Sequence, residues 1–314
     1  MSVLRLGTTE VTPAAAAALA ANNADPALFF SRHERGDWGN VEDRRWRYND
    51  MAVQQNQLVL SSYLLEDGTE VIVTTTADRS STLMLLAAEY QNAVSTQEGY
   101  AIWSATYDSE KNSLIAVEEK YVDALLAPLP VSTALDVGTG TGRYALKLAR
   151  RSGAVTAIDQ SPEMMALAWR AAQAEGLTID FRHSSINDDL PFAPGQFDFL
   201  ICALVLCHIE DLSHAFREFY RVLQPGGYLL ISAFHPDAIA RGWSTSFLGR
   251  RGLYVLPNAP HTRADYMDAI EQSGFTLIKV IDALVGEIPD DNPSKAMLHD
   301  QLEKTFCLIA LAQK

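Results

Sequence analysis

Apolar runs and helix-patterned segments alternate along the chain from about residue 100 onward. Short runs rich in Val, Ile, Leu and Phe indicate buried strands, and between them apolar residues recur every three or four positions, as in amphipathic helices. This alternation predicts an α/β fold, with a parallel sheet covered by helices on both faces. The predicted strands are 132–137, 155–158, 179–181, 197–203, 228–234, 275–281 and 305–312, and the helices between the first five are 143–151, 162–175 and 212–223.

The first ninety residues have a different pattern. Strand-like runs at 57–65, 70–77 and 81–87 follow a helical start, and the pair Asp67-Gly68 between the first two runs is a strong hairpin signal. Antiparallel strands beside a helix indicate a small α+β domain. We therefore predict two domains, 1–92 and 98–314.

Composition narrows the classes of function. The chain of 314 residues carries a formal charge of −14, which argues against a nucleic-acid-binding surface, because such surfaces neutralise phosphates with Lys and Arg. Its three cysteines lack the spacing of metal ligands, so we expect no metal and free thiols in a reducing compartment. No stretch approaches the roughly 20 apolar residues of a membrane span. We expect a cytoplasmic protein.

A glycine-rich loop follows the first strand of the α/β part. It reads Gly138-Thr-Gly-Thr-Gly142, and Arg143 stands where a phosphate-binding P-loop would need Lys. A dinucleotide loop has the spacing Gly-x-Gly-x-x-Gly, and here the third glycine comes one residue early. Asp136, two residues before the first glycine, would also repel a pyrophosphate.

A carboxylate at this place suits a positively charged guest. Asp159 ends the next strand, where a carboxylate can accept hydrogen bonds from both hydroxyls of a ribose. An acid at that position serves NAD as well. Asp136 together with the Gly-x-Gly-x-Gly loop favours S-adenosylmethionine, which carries a sulfonium and an ammonium and no phosphate.

Four segments, in the right order, resemble the motifs of class I S-adenosylmethionine-dependent methyltransferases, a group that includes quinone-biosynthesis and other small-molecule enzymes. They are LDVGTGTGRY, AIDQSPEMM, NDDLPFAPGQFDFLICALVLCHIEDL and VLQPGGYLLIS. The resemblance covers residues 100–314. It implies a doubly wound, seven-stranded Rossmann-like sheet, S-adenosyl-L-methionine as the cofactor and a small-molecule methyl acceptor.

The resemblance also implies which residues contact the cofactor. The third motif usually offers an acid to the adenine, and Ser185 stands in that place, so the contact would come from backbone and water or from Asp188. The implied residues are Asp136, Gly138, Gly140 and Gly142 at the methionine end, Asp159 at the ribose, Gln160, Met164, Ser185 and Ile186 around the adenine, and Ala203 at the methyl-transfer channel.

The segment 101–122 resembles the helix that closes over the cofactor in many relatives. Trp103 and Tyr107 would then cover the sulfonium, and a cation beside an aromatic face gains about 0.5–2 kcal/mol. The alternative is that both rings only pack this helix against the sheet.

Methyl transfer needs a base only when the acceptor arrives protonated. His208 follows the fourth motif and His235 follows the fifth strand, so both belong to the edge of the sheet where ligands bind. Tyr107 is a third candidate catalytic residue. The alternative for the histidines is helix capping or packing.

The stretch 236–262 is too long for an ordinary connection and is predicted to be a substrate lid. Trp243, Phe247 and Tyr254 would form its apolar wall. The pair Arg250-Arg251 would meet an anionic group or form a solvated turn.

The motifs together predict methyl transfer to an O or N nucleophile of a small organic molecule. The chain lacks the Pro-Pro motif of amino-directed DNA methyltransferases after the fourth strand and the Pro-Cys pair of cytosine C5 enzymes. The alternatives are a cofactor-binding regulatory or partner subunit, a methyltransferase acting on tRNA or protein, and an NAD-dependent oxidoreductase. A homodimer stays open.

Residues 1–92 resemble a small, uncharacterised, plasmid-associated bacterial protein. That resemblance brings no activity with it. Fusion to an enzyme suggests substrate gating, dimerisation or targeting.

Overall fold

The computed structural model describes residues 3–151, 153–249 and 252–314. Residues 3–90 form an α+β unit, which we call the N-terminal unit. Its elements are β1 (Thr8–Val11), α1 (Pro13–Ala21), α2 (Pro26–Glu34), α3 (Asp43–Gln54), β2 (Val59–Leu64), β3 (Glu70–Thr75) and β4 (Ser81–Leu86). Within the described residues the strand order is β1-β4-β3-β2, with β1 parallel to β4 and the other neighbours antiparallel. The three predicted strands are present, and β1 joins them through its backbone although its sequence is polar.

Local signals set where these elements begin and turn. The side chain of Thr12 accepts a hydrogen bond from the amide of Ala15 and Pro13 opens α1, a common helix start. The Asp67-Gly68 turn joins β2 to β3, with Gly68 at φ +86°. One face of the sheet packs on α1 and α2 through a core of Leu19, Phe29, Tyr63, Leu65, Val71, Val73 and Met84.

Three elements lead out of the N-terminal unit. A short strand is followed by two helices that run towards the large sheet. These are β5 (Gln91–Ala93), α4 (Thr96–Trp103) and α5 (Ser113–Leu126).

A large sheet organises the rest of the chain. The elements from residue 133 onward are β6 (Thr133–Val137), α6 (Arg143–Arg150), β7 (Ala154–Asp159), α7 (Pro162–Ala174), β8 (Ile179–His183), β9 (Phe197–Ala203), α8 (Leu212–Val222), β10 (Leu223–Phe234), α9 (Pro236–Ala240), β11 (Ser246–Gly249), β12 (Gly252–Val255), α10 (Arg263–Gln272), β13 (Thr276–Leu284), α11 (Pro293–Met297) and β14 (Thr305–Gln313).

The strand order of the large sheet, among the described residues, is β13-β14-β10-β9-β6-β7-β8. The strands are parallel except for β14, which runs antiparallel to β10 and β13. All seven predicted strands are present, which confirms the doubly wound, seven-stranded Rossmann-like fold.

Helices cover both faces of the large sheet. Residues of α8 and α10, such as Phe216 and Ile270, pack on one face with alternate residues of the strands. Residues of α5 and α6, such as Val122 and Leu148, pack on the other. The central strands are buried on both sides, which explains their nearly continuous apolar sequences. No helix of the described ranges has the length and apolar character needed to cross a bilayer.

The predicted lid stretch contains a hairpin that the sequence pattern did not indicate. Strands β11 and β12 pair antiparallel, and β12 pairs in parallel with β5. We call these three strands the hairpin sheet. It forms because backbone groups of residues 91–93 and 253–255 meet across a long stretch of chain, a contact that no local pattern reports.

Candidate functional site

A cavity opens at the carboxyl ends of β6, β7 and β9. In the large sheet the parallel strands β7 and β9 lie on opposite sides of β6, so the connections after β6 and β7 lead to one side of β6 and β9 lies on the other. This switch point leaves a crevice, the usual ligand site of open α/β sheets. Its volume is about 920 Å³, including solvent space at its mouth, which is in the range of small-molecule sites. The helix α4 and the loop after β9 form its other walls.

Two residues of the glycine loop, Gly138 and Gly140, form one wall of the cavity, where the absence of a side chain matters. Gly138 has φ +70°, and a Cβ there would lie 2.3 Å from Cγ2 of Val205. Gly140 has φ +56°, and a Cβ there would meet nothing within 4 Å. The first glycine therefore permits close packing of the loop, and the second leaves open space that a ligand can occupy.

Asp159 presents a fixed carboxylate at the cavity wall. The amide of Gly140 donates to its Oδ2 at 2.7 Å, and the amide of Ser161 donates to its Oδ1 at 2.8 Å. Burial raises the pKa of Asp159, although these backbone amides oppose the shift. Each carboxylate oxygen keeps a further lone pair, so the group can accept hydrogen bonds from the hydroxyls of a ribose.

Asp136 differs from the expectation that it faces the cationic part of the cofactor. Its carboxylate is 2% exposed and does not line the cavity. The hydroxyl of Thr139 donates to it at 2.7 Å and the amide of Ala145 at 2.9 Å, and burial raises its pKa to about 6. The free amides at the start of α6 capture this carboxylate, so Asp136 ties the loop to the helix. Gly142 also lies behind the wall, where a Cβ would meet Ala168.

The side of the cavity assigned to adenine is partly as expected. Gln160, Met164 and Ile186 line it. Ser185 does not, because its hydroxyl accepts a hydrogen bond from the amide of Asn187 within the same loop. Asn187 itself lines the cavity and was missed by sequence reasoning. The signal that could have found it is an amide side chain, able to accept from an amino group, two residues after the missing acid.

Stacked aromatic rings join α4 to the hairpin sheet. The ring of Trp103 stacks on Phe247 at 4.7 Å and 7°, and Phe247 stacks on Tyr254 at 5.1 Å and 11°. Tyr100 also stacks on Trp103, at 5.8 Å and 16°. We call these four rings the aromatic stack. Trp103 thus lies behind the cavity wall, whereas Tyr100 and Tyr107 line the cavity.

The remaining residues assigned to the lid lie elsewhere. Trp243 packs edge-on against Phe306 at 5.9 Å, in the core on the α5 side of the large sheet, because it follows α9 directly and α9 packs there. It is not part of the cavity wall. The expectation for Arg250 and Arg251 falls outside the described residues.

His208 lines the cavity beside Ala203. The carbonyl of Pro257 lies 2.7 Å from Nδ1, so Nδ1 carries a proton. The hydroxyl of Tyr100 lies 3.2 Å from Nε2, and in the neutral imidazole Nε2 accepts a hydrogen bond from it. Burial opposes the charged imidazolium, but the sulfur of Cys207 and the Pro257 carbonyl outweigh it, and the pKa of His208 is raised. Burial raises the pKa of Tyr107 to about 12.

His235 differs from the expectation that it faces substrate. Its side chain is fully buried and is not part of the cavity wall. Its Nδ1 accepts from the amide of Asp237 as the cap of α9, and its Nε2 therefore donates to Asp282 at 3.1 Å. Capping a helix start uses the nitrogen lone pair that a base would need.

The cavity suits a ligand without phosphate. The charged or titratable groups among its described lining residues include the Asp159 carboxylate and the His208 imidazole, and none of these residues is Lys or Arg. A pyrophosphate would meet repulsion here without a compensating cation. S-adenosylmethionine, with cationic centres and a ribose, fits the open space at Gly140 and the carboxylate of Asp159.

Comparisons with known proteins identify the family of the chain. Residues 135–231 match a family model described as a methyltransferase domain. The chain is 31% identical over 167 residues to the ubiquinone biosynthesis O-methyltransferase of Xanthomonas euvesicatoria pv. vesicatoria (strain 85-10), covering 52% of this chain and 68% of the relative. The enzyme of the same name from Xanthomonas campestris pv. campestris (strain B100) is 32% identical over the same coverage.

Solved structures show the same fold. An S-adenosylmethionine-dependent methyltransferase from Mesorhizobium loti has a TM-score of 0.52 at 21% identity, over 65% of this chain and 100% of that one. The [4+2]-cyclase SpnF has a TM-score of 0.53 at 19% identity, over 72% and 98%. With its sequence relatives and its cavity taken together, the chain belongs to the S-adenosylmethionine-dependent methyltransferases and uses S-adenosyl-L-methionine as its cofactor.

Proposed function

We propose that the enzyme methylates an O or N nucleophile of a small, uncharged organic molecule, with His208 as the general base. The observation that carries this proposal is the position of the His208 imidazole. In the neutral imidazole Nε2 is unprotonated, and the ring lies in the same cavity as the Asp159 carboxylate. His208 follows β9 and Asp159 ends β7, and these two strands flank β6. A neutral imidazole at this place can take the proton that an acceptor loses.

The walls of the cavity support a small acceptor. The Tyr100 ring of the aromatic stack lines one side, and apolar side chains from the loop after β9, such as Leu204 and Val205, line another. Among the described lining residues no Lys or Arg offers a partner for an anionic acceptor. The name of the Xanthomonas relatives, ubiquinone biosynthesis O-methyltransferase, also supports an oxygen acceptor.

The chain's own residues supply alignment and proton removal. When bound, S-adenosyl-L-methionine supplies a methyl group activated by its sulfonium. Asp159 would hold the ribose, and Gln160, Met164, Ile186 and Asn187 would surround the adenine. Ala203 and His208 line the same cavity, so an acceptor beside them would lie within reach of a cofactor held in this way. Positioning of this kind accounts for much of the rate of an in-line displacement.

Cofactor binding is tested by calorimetry with an Asp159→Asn variant. Hydrogen bonds to a charged group contribute about 1.5–3 kcal/mol, so we expect an affinity loss of about ten- to hundredfold for S-adenosylmethionine. Asp180→Asn is the matched control, because Asp180 lies on β8 and is exposed to solvent. Unchanged affinity in the Asp159 variant would contradict the assigned ribose site.

Turnover is tested by release of S-adenosylhomocysteine from panels of phenols, alcohols and amines. His208→Ala should bind the cofactor normally and lose about 10²- to 10⁴-fold in kcat, the usual contribution of a general base. Methylation of tRNA or protein, with none of any small molecule, would overturn the assigned acceptor class. Cofactor binding without turnover on any substrate would point to a regulatory subunit.

A further inference from the structure

Tyr100 contacts the proposed base, His208, at the cavity wall. It lies on α4, and its hydroxyl is 3.2 Å from Nε2 of His208. The two rings are perpendicular, at 5.7 Å between centroids and 88° between planes. Both side chains line the cavity. The phenol is therefore the group that the imidazole meets on its cavity side.

The hydrogen-bond inventory of His208 leaves no room for a second donor. The Pro257 carbonyl takes the Nδ1 proton, so Nε2 has one lone pair, and Tyr100 already donates to it. An acceptor molecule could reach Nε2 only by displacing the phenol. The phenolic oxygen, in contrast, keeps lone pairs that can accept a hydrogen bond from an acceptor in the cavity.

We propose that Tyr100 is a second catalytic residue, which passes the acceptor's proton to His208. This inference rests on the proposed function. The acceptor O–H or N–H bond breaks and its proton moves to the Tyr100 oxygen, while the phenolic proton of Tyr100 moves to Nε2. The acceptor forms a bond to the methyl carbon as the carbon–sulfur bond breaks. The products are a methylated acceptor, a neutral thioether, an unchanged phenol and one imidazolium, so atoms and charge balance.

The surroundings of Tyr100 support this role. Its ring is held on Trp103, which is held in turn on Phe247, so the hydroxyl is fixed in place. Burial raises the pKa of Tyr100 well above its ordinary value. The phenol therefore stays protonated near neutral pH and acts by passing a proton on, in concert, and not as a standing phenolate base.

A proton relay through Tyr100 affects different acceptors differently, which a positioning role would not. The relay is needed for acceptors that carry their proton at neutral pH, such as alcohols and ordinary phenols. The relay is dispensable for acceptors that are already ionised, such as phenols made acidic by electron-withdrawing groups. The two kinds of acceptor therefore separate proton transfer from alignment.

The experiment compares Tyr100→Phe with the wild type on a matched pair of phenols, one ionised and one protonated at pH 7.5. We expect kcat to fall about 100-fold on the protonated phenol and less than about threefold on the ionised one, the size of effect typical of acid–base groups. Tyr220→Phe, which removes a phenol hydroxyl on α8 outside the cavity wall, is the control. Equal losses on both phenols, or no loss on either, would overturn the relay.

A second measurement tests the hydrogen bond between Tyr100 and His208 without turnover. Nitrogen NMR of His208 in the cofactor-bound enzyme should show a proton on Nδ1, and the Nε2 resonance should move in Tyr100→Phe because its donor is gone. An unmoved Nε2 resonance would overturn the relay even if small molecules are methylated. A moved resonance in an enzyme that methylates no small molecule would overturn the proposed function and leave the hydrogen-bonded pair standing.

Discussion

At the scale of single residues, the same side chain takes different roles according to the backbone groups around it. Asp136 and Asp159 end neighbouring parallel strands. Amides at the start of α6 turn the first carboxylate inward, whereas the amides of Gly140 and Ser161 hold the second at the cavity wall. The sequence places both residues at the carboxyl ends of parallel strands, where ligands bind, and does not show which of the two carboxylates faces the cavity.

A third buried titratable residue, His33, lies in the N-terminal unit. Thr82 donates to the carbonyl of Leu6 and Thr75 donates to Thr82, so His33 must donate from Nε2 to Thr75. Its Nδ1 then accepts from Ser61. Each partner is satisfied only when the imidazole is neutral, and burial lowers the pKa of His33 to about 3.

His33 should make the protein sensitive to acid. The unfolded imidazole has a pKa near 6.5, so stability is complete above that pH and falls as the pH drops towards 3. Between pH 7 and pH 4 we expect a loss of about 3 kcal/mol from this group in urea unfolding. His33→Asn should lose that dependence, whereas His299→Asn, at an exposed position, should keep it. A wild type as stable at pH 4 as at pH 7 would show that His33 can be protonated in place.

At the scale of elements, the glycine loop depends on close packing as well as on backbone conformation. In Gly138→Ala the alanine would have to adopt a left-handed φ of +70°, and its Cβ would lie 2.3 Å from Cγ2 of Val205. Gly176→Ala has a similar φ, +66°, and open space around it. We expect both variants to lose stability through backbone strain, about 1–2 kcal/mol, and only Gly138→Ala to lose cofactor binding as the loop shifts. Equal cofactor affinity in the two variants would contradict this account.

The aromatic stack is expected to hold the hairpin sheet against α4, the helix that forms one wall of the cavity. Phe247→Ala removes the ring between Trp103 and Tyr254, and replacing a buried Phe costs about 3–5 kcal/mol of packing. Amide hydrogen exchange in β11 and β12 should become faster, and the acceptor KM should rise more than the cofactor dissociation constant. Leu248→Ala, at the next residue of the same strand and half-buried, is the control. Exchange that stays slow in Phe247→Ala would show that strand pairing alone holds the hairpin.

At the scale of the whole molecule, the N-terminal unit contacts the hairpin sheet. The amide of Leu253 donates to the carbonyl of Tyr90 at 2.5 Å, and β12 pairs with β5. The amide of Lys111 also donates to the side chain of Gln57 at 2.9 Å. We propose that residues 1–92 and 98–314 are two domains and that the first gates access to the cavity of the second.

Gating is tested at the contact between Gly252 of β12 and Tyr90 at the end of the N-terminal unit. A Cβ at Gly252 would lie 2.4 Å from the carbonyl oxygen of Tyr90, so Gly252→Ala should separate β12 from β5. We expect faster hydrogen exchange in both strands and a severalfold change in acceptor KM. Gly242→Ala, with φ +88° and nothing within 4 Å, controls for backbone strain. Faster hydrogen exchange with an unchanged acceptor KM would show that the pairing of β12 with β5 does not gate the cavity.

Much of the fold was predictable because it follows from local patterns. The buried strands read as apolar runs, and the glycine spacing together with Asp159 located the cofactor side of the cavity. Strand β1 was missed because its polar side chains carry no periodic signal, although its backbone pairs with β4. Tyr100 was missed because its partner His208 lies 108 residues away in the chain.

The sequence by itself determined the order of strands and helices, the glycine loop and the family, because each depends on residues close together in the chain. Tertiary structure alone decided that Asp136 turns inward, that His235 caps a helix, and that the tautomer of His208 is set by Pro257 and Tyr100. These outcomes depend on which backbone and side-chain groups meet across the folded chain. Hydrogen bonds of that kind leave no periodic trace in the sequence.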